Sequence, residues 1–190
     1  MLRRLALIVL LWLAAPAMAQ PAPVRVLLET DAGNITLEVD PARAPVTAGN
    51  FLRYVDERRY DGATFYRAMR AGQGRGLVQG GVEERRELPP IAHEPTTRTG
   101  LSHVDGAVSI ARDAPGTATA DIYITLGDMT YLDAGRVDPD GYAVFGRVVA
   151  GMDVVRRIQA APTSPTEGEG AMRGQMLSPR IRILSAHRVG

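Results

Sequence analysis

The stretch VRVLLETDAGNITLEV, residues 24–39, alternates apolar and polar side chains on both sides of Asp31-Ala32-Gly33. Alternation with a period of two is typical of a strand that buries one face. A short link containing Asp and Gly between two such runs is typical of a hairpin. The stretch therefore predicts two antiparallel strands, at Val24–Thr30 and at 34–39, joined by a tight turn.

Short apolar runs typical of strands continue along the chain. They lie at 64–68, 77–79, 107–111, 122–126, 143–149 and 180–186. The links between them are rich in Gly, Pro and Asp, and the segment 162–174 is expected to be a solvated loop. With the first hairpin, these runs make eight strands.

Only two segments have the period of a helix. One begins at Pro45, which is tolerated in a first turn, and should end near 58–60; its apolar stripe is Ala48, Phe51, Leu52 and Val55. The other is predicted at 152–159. Eight strands with two isolated helices form no βαβ units, so an antiparallel barrel or sandwich with two capping helices is expected.

The first nineteen residues have the pattern of a signal peptide. Arg3 and Arg4 precede an apolar run at 5–16, and the small residues of Ala17-Met18-Ala19 then form a cleavage site. We expect export and cleavage after Ala19, with no stable membrane insertion of the mature protein, a short linker at 20–23 and a single domain at 24–190. The only tryptophan, Trp12, would leave with the signal.

The composition excludes several kinds of chemistry. All 22 basic residues are arginine, and the chain has no cysteine. Without lysine there is no Schiff-base catalyst and no Walker-type phosphate loop, and without cysteine there is no thiol nucleophile or thiolate metal site. After cleavage 20 arginines face 21 acidic residues, a formal charge of −1, so a nucleic-acid partner is not expected.

Two motifs that could bind a metal lack the residues required. His93-Glu94 has no second histidine one helical turn later, and Pro95 would break the helix, so an exposed loop pair is expected. The segment Asp138-Pro139-Asp140-Gly141 lacks further calcium ligands and predicts a turn. We therefore expect neither a metal nor another cofactor.

Two polar residues stand inside apolar strand signals. Arg67 ends the run Phe65-Tyr66-Arg67, and Gln79 precedes two glycines at which another chain can approach closely. An arginine on a barrel face is costly unless it is paired or used. From these residues alone, a structural ion pair and a binding role for Arg67 are equally open.

The order of the sequence motifs along the chain resembles the order found in the cyclophilin-type peptidyl-prolyl cis-trans isomerases. The similar blocks are FYR (65–67), VQGG (78–81), VSIA (108–111), DIYI (121–124), YLD (131–133) and YAVFGRV (142–148). The resemblance extends from Val24 to about Val189. Exported bacterial members are similar in having a tyrosine before the VFG block, as Tyr142 is here.

The resemblance implies a mainly β fold, a closed eight-stranded antiparallel cyclophilin-like barrel capped by two α-helices. It implies isomerisation of X-Pro bonds, without a cofactor, in unfolded or nascent exported polypeptides, by a periplasmic protein expected to be monomeric. Arg67 would be the catalytic residue. The implied substrate-binding residues are Phe65, Leu77, Gln79, Ala111, Arg112, Asp121, Tyr123, Tyr131, Leu132 and Tyr142.

Three positions depart from the family pattern. Gly76 stands where the family has a phenylalanine, which would leave the proline pocket without one wall unless another side chain fills it. Asp121 replaces a glutamine and could pair with Arg67 or Arg112. Tyr131 replaces a tryptophan, so weak cyclosporin binding is expected. The alternative function is therefore a catalytically weak barrel that binds peptides as a chaperone or assembly factor.

Overall fold

The computed structural model describes residues 21–190, in which eight antiparallel strands close into one barrel. The strands are β1 (Val24–Thr30), β2 (Gly33–Val39), β3 (Thr64–Arg70), β4 (Gly76–Gly81), β5 (Ala107–Ile110), β6 (Ile122–Leu126), β7 (Ala143–Ala150) and β8 (Met176–Val189). Their order around the barrel is β1-β2-β7-β5-β6-β4-β3-β8. This confirms the expected closed barrel. The predicted signal segment and Trp12 lie outside the described residues.

The first hairpin forms as its alternation predicts. β1 pairs with β2 from Val24 opposite Val39 to Thr30 opposite Gly33. The inward positions, among them Val26 and Leu28 on β1, are fully buried, whereas the residues between them are partly or fully exposed. Because a shift of one residue would turn this apolar set to solvent, the burial pattern specifies the register.

Two main helices pack against the barrel, as predicted. They are α1 (Pro45–Asp56), which packs against β7 and β8, and α3 (Met152–Ala160), which packs against β2, β3 and β4. On α1, the Phe51 ring lies 5.4 Å from that of Tyr60 and 5.1 Å from that of Phe145. A short helix, α2 (Thr96–Thr99), was not predicted, because four residues are too few to show a helical period. No helix within residues 21–190 is long and apolar enough to cross a membrane.

Glu94 is buried, and the expectation of an exposed His93-Glu94 pair is wrong for this residue. The side chain is 1% exposed, and its Oε2 accepts hydrogen bonds from the backbone N–H of Thr47 at 2.6 Å and from the Thr47 hydroxyl at 2.9 Å. These bonds satisfy a free N–H in the first turn of α1, where a negative charge is also favourable. The contact spans 47 residues, so no local pattern reveals it.

The last strand is longer than predicted, Met176–Val189 instead of 180–186. Its second half pairs with β1, and its first half pairs with β3. Only the second half alternates, because Ser178-Pro179 interrupts the pattern near the start of the strand. The additional residues bring the segment before β8 alongside β3, next to the candidate site.

Candidate active site

A cavity of about 710 Å³ opens on the outer face of the barrel, mainly between β3, β4 and β6 and the loops that follow β5 and β6. Ten of the eleven side chains selected from the sequence line it. They are Arg67, Leu77, Gln79, Ala111, Arg112, Asp121, Tyr123, Tyr131, Leu132 and Tyr142. The fold therefore brings together residues up to 75 positions apart in one groove.

Phe65 does not line this groove, contrary to expectation. Its side chain is fully buried and belongs to the main core of the barrel. The strand pairing shifts register between Phe65 and Arg67, which identifies a β-bulge at Tyr66. Phe65 therefore points inward, while Tyr66 and Arg67 both line the groove although they are consecutive. The bulge also explains why strict alternation failed to select Tyr66.

Two glutamines hold the Arg67 guanidinium. Its Nη1 donates to Gln79 Oε1 at 2.9 Å, and its Nε donates to Gln175 Oε1 at 2.9 Å. Among residues 21–190, no carboxylate makes an ion pair with Arg67. The side chain is half-buried, and this desolvation lowers its pKa from the usual value, although arginine remains charged at any physiological pH. Arg67 is thus a positioned cation without a counter-ion.

Asp121 pairs with Tyr66, not with either arginine. Its Oδ2 accepts the Tyr66 hydroxyl proton at 2.5 Å, and the Tyr66 oxygen accepts from Gln79 Nε2 at 2.6 Å. Burial raises the pKa of Tyr66 well beyond its ordinary value, so the hydroxyl stays protonated and donates. Burial and the nearby Glu87 raise the pKa of Asp121. A hydrogen-bonded chain thus runs from Asp121 through Tyr66 and Gln79 to Arg67.

Arg112 forms a structural part of the groove wall. Its Nη2 lies 2.8 Å from Asp138 Oδ2 and also donates to the carbonyl of Gly141. The guanidinium carbon lies 4.9 Å from the centre of the Tyr142 ring, a cation–π contact. Only 3% of the Arg112 side chain is exposed. Arg112 therefore fixes the turn 138–141 and supports Tyr142, and Asp121 does not neutralise it.

An apolar pocket adjoins Arg67. Leu77 and Tyr123 line it, and Met129 is fully buried and packs with them. Partly buried apolar side chains complete the lining: Met69, Ala111, Leu132 and Tyr142. The Tyr123 and Tyr142 rings meet edge to face, with centroids 5.9 Å apart and an angle of 84°.

Gly76 is not among the residues that line the groove. A Cβ on Gly76 would lie 2.0 Å from the carbonyl oxygen of Met69 and 2.4 Å from Gln159 Nε2, so no side chain fits there. Met69, two residues beyond Arg67 on β3, lines the groove instead. Alternation along β3 places Met69 on the same face as Arg67, which is the sequence signal that could have identified it.

Three further groove residues come from the segment before and at the start of β8. Met172 and Met176 line the cavity, and Gln175 accepts the bond from Arg67 Nε. The backbone carbonyl of Gln175 accepts a bond from the N–H of Ala68 at 2.9 Å, which holds this segment against β3. Because Arg67 and Gln175 are 108 positions apart, no local pattern in the sequence indicates their hydrogen bond.

If the groove turns over the X-Pro peptides that the sequence resemblance implies, replacing Tyr66 with phenylalanine is expected to lower kcat/KM about tenfold, the order expected for a hydrogen bond to a charged group. Without the hydroxyl, Gln79 Nε2 loses its acceptor and the amide can rotate away from Arg67. Steady-state kinetics and thermal unfolding of both proteins measure the effect. A variant with lower stability and unchanged kcat/KM would contradict the role assigned to this chain of hydrogen bonds.

Comparisons with known proteins agree on one family. The model of the cyclophilin type peptidyl-prolyl cis-trans isomerase/CLD family matches residues 25–188. Peptidyl-prolyl cis-trans isomerase A of Dickeya dadantii is 37% identical over 155 residues, which cover 78% of each chain. A peptidyl-prolyl cis-trans isomerase of Acinetobacter baylyi is 36% identical over 171 residues, 86% of each chain.

A solved structure with the same fold is more distant in sequence than these two relatives. A cyclophilin type peptidyl-prolyl cis-trans isomerase of Cryptosporidium parvum superimposes with a TM-score of 0.67 at 17% identity. The match covers 88% of this chain and 98% of the parasite protein. At this identity the likeness establishes the fold.

Proposed function

The chain belongs to the cyclophilin-type peptidyl-prolyl cis-trans isomerases and catalyses rotation about X-Pro peptide bonds, and from this premise we propose that Arg67 is its catalytic residue and that its substrates are exported proteins. The observation that carries the first part is the Arg67 guanidinium, held by Gln79 and Gln175 beside an apolar pocket. The second part rests on the signal-like sequence at residues 1–19.

The barrier to rotation about an X-Pro bond arises from the electronic structure of the peptide group. Conjugation of the nitrogen lone pair with the carbonyl gives the peptide C–N bond partial double-bond character, with a rotation barrier of about 18–20 kcal/mol. A donor directed at the prolyl nitrogen draws the lone pair out of conjugation and stabilises the twisted state. Since this interaction is made in the transition state and is weak in the planar ground states, it raises kcat.

The residues of the groove have two functions: some bind the proline ring, and Arg67 with its partners acts on the prolyl nitrogen. The pocket around Leu77, Tyr123 and Met129 accepts the proline ring and excludes water. Within residues 21–190, the guanidinium's N–H groups donate only to Gln79 and Gln175, which leaves its other donors available to the substrate. Because both partners are neutral amides, the positive charge of Arg67 is kept for the substrate. Low local polarity strengthens such a bond.

Both arguments for the alternative function, a catalytically weak chaperone, fail. It rested on a missing pocket wall at Gly76 and on possible neutralisation of Arg67 by Asp121. Met69 lines the groove next to Gly76, and Asp121 is bonded to Tyr66. The geometry therefore favours turnover over simple peptide binding.

For the cellular setting, we propose that the protein is periplasmic and acts there as a monomer on unfolded or nascent proline-containing polypeptides. The basic start, the apolar run and the small residues before Gln20 support export. An enzyme that needs neither a thiol nor a cofactor is insensitive to an oxidising compartment.

Cell fractionation, with N-terminal sequencing of the purified protein, tests this setting. We expect a periplasmic protein that begins at Gln20, elutes as a monomer and shows no tryptophan fluorescence, because Trp12 is the only tryptophan. A chain that starts at Met followed by residue 20 serves as the control and should stay in the cytoplasm. Recovery of the full-length protein in the cytoplasm, with indole emission, would overturn the proposal.

A further inference from the structure

A buried polar cluster lies behind the apolar pocket and has no part in the mechanism given above. His103 is fully buried, as is Ser109 on β5, and Tyr123 on β6 is 3% exposed. The His103 and Tyr123 rings stack at 11° with centroids 5.9 Å apart. Burying a histidine and a tyrosine hydroxyl is costly unless both are hydrogen-bonded, so a phenylalanine at 123 would be the simpler solution for packing alone.

Asp133 determines which nitrogen of His103 carries the proton. One oxygen of its carboxylate, Oδ1, lies 3.0 Å from the backbone nitrogen of His103 and 2.6 Å from Nδ1. A carboxylate only accepts, so Nδ1 carries the proton and Nε2 presents a lone pair. Burial lowers the pKa of His103 below its usual value, although the hydrogen bond to Asp133 acts to raise the pKa. The neutral imidazole is therefore the form present at neutral pH.

The Nε2 atom of His103 faces Tyr123, one of the side chains that line the pocket. It lies 3.0 Å from the Tyr123 hydroxyl and 3.1 Å from Ser109 Oγ. Burial raises the pKa of Tyr123 well above its ordinary value, so its hydroxyl is protonated and can donate to the Nε2 lone pair. The hydrogen bonds link Asp133, His103 and Ser109 in the same order as in the catalytic triads of hydrolases. Both His103 and Ser109 are fully buried, however, so no substrate can reach them.

We infer that His103 is a positioning residue for the proline pocket: its Nε2 accepts the Tyr123 hydroxyl proton and holds that ring against Leu77 and Met129. The inference rests on the proposed function, because it takes the pocket beside Arg67 as the site of the proline ring. Tyr123 in turn meets Tyr142 edge to face, so a rotation of Tyr123 would reshape two walls of the pocket.

The position of the Tyr123 ring, and with it the shape of the pocket, then depends on the protonation state of His103. With a proton on Nε2 as well, the imidazole can only donate: it donates to the Tyr123 oxygen, and the Tyr123 hydroxyl proton no longer has His103 as its acceptor. Asp133 is the charged group that bonds to the imidazole; Tyr131, Tyr142 and Arg112 surround the Tyr123 side of the cluster. Because the pKa of His103 is lowered, the change falls on the acid side of a histidine's ordinary range.

Kinetics of the wild type and of two His103 variants on an X-Pro peptide, measured across acid and neutral pH, test the inference. In the wild type, KM should rise as the pH falls, with a smaller change in kcat. His103→Asn keeps a donor for Asp133 but is too short to reach Tyr123, so at neutral pH KM should rise about threefold to tenfold. His103→Gln can place a carbonyl near the position of Nε2 and should restore KM without the pH dependence.

Kinetics of two further variants and one spectroscopic measurement separate this effect from loss of structure and from Asp121, whose pKa is raised. Tyr123→Phe, which keeps the ring, should lose the acid rise in KM, whereas Asp121→Asn should keep it. Imidazole nitrogen chemical shifts should show Nε2 of His103 without a proton at neutral pH, and this observation needs no variant.

The possible outcomes are distinct. A wild-type KM and pH profile in His103→Asn, an acid rise in KM that persists in Tyr123→Phe, or a protonated Nε2 at neutral pH would each overturn the inference. Activity that survives Arg67→Ala would instead overturn the proposed catalytic residue. Loss of activity in Arg67→Ala with no effect at His103 would remove the positioning role alone.

Discussion

Replacing Arg67 with alanine is expected to lower kcat/KM for an X-Pro peptide about 10²-fold to 10³-fold, the effect of removing one donor directed at a transition state. The loss should appear mainly in kcat, because the apolar pocket that binds the ring remains. Arg67→Lys should recover little, since an ammonium group cannot bond to both glutamines and to the substrate in one plane. Exchange spectroscopy of a prolyl peptide measures the rate directly.

Arg70 offers a matched control for this experiment. It lies three residues further along β3, is exposed, and donates to the carbonyl of Ala161 at 2.6 Å outside the groove. Arg70→Ala should retain kcat/KM within about twofold, as expected of a surface change away from the site. Equal losses in the two variants would show that the effect of Arg67→Ala is one of general charge or stability and would contradict the catalytic assignment.

Replacing Phe51 with alanine is expected to lower the free energy of unfolding by about 3–5 kcal/mol, the usual cost of removing a large aromatic side chain from a core. Phe51 is fully buried and packs between Tyr60 and Phe145, where α1 covers the barrel. Neighbours held by the closed sheet cannot collapse into the cavity that the substitution leaves. Urea unfolding followed by circular dichroism measures the change.

Leu184 provides the control for the stability measurement. It lies on β8 and is 48% exposed, so Leu184→Ala should change the free energy of unfolding by about 0.5 kcal/mol or less. The urea dependence should stay the same in both variants if the unfolded states are alike. A loss of under 1 kcal/mol for Phe51→Ala would contradict the view that this aromatic cluster joins α1 to the barrel.

Local patterns were sufficient for most of the fold. Each strand of the first hairpin buries every second residue, and α1 buries one stripe, so the period of the apolar residues is visible in the sequence. The prediction failed where this period is broken or too short, at the start of β8 and at the four residues of α2. The cap that Glu94 provides for α1 also could not be predicted, because it joins residues distant in the chain.

The candidate site was predicted less completely than the fold. Arg67 and Gln79 were conspicuous as polar residues in apolar strands, and the order of motifs selected the residues that line the groove. Tyr66 was missed because a β-bulge turns it to the outer face beside Arg67. Gln175 and His103 were missed because their roles depend on contacts across the barrel, with Arg67 and with Tyr123.

The amino-acid sequence was enough to predict eight strands, the two main helices, the absence of lysine and cysteine chemistry, and the candidate arginine. All of these depend on residue type and on spacing over a few positions. Three features of the site became visible only in the folded molecule: Asp121 pairs with Tyr66 and leaves Arg67 its charge, Phe65 faces the core, and Met69 lines the groove. The physical reason is that hydrogen bonds and burial depend on distances in space, which barrel closure sets between strands far apart in the chain.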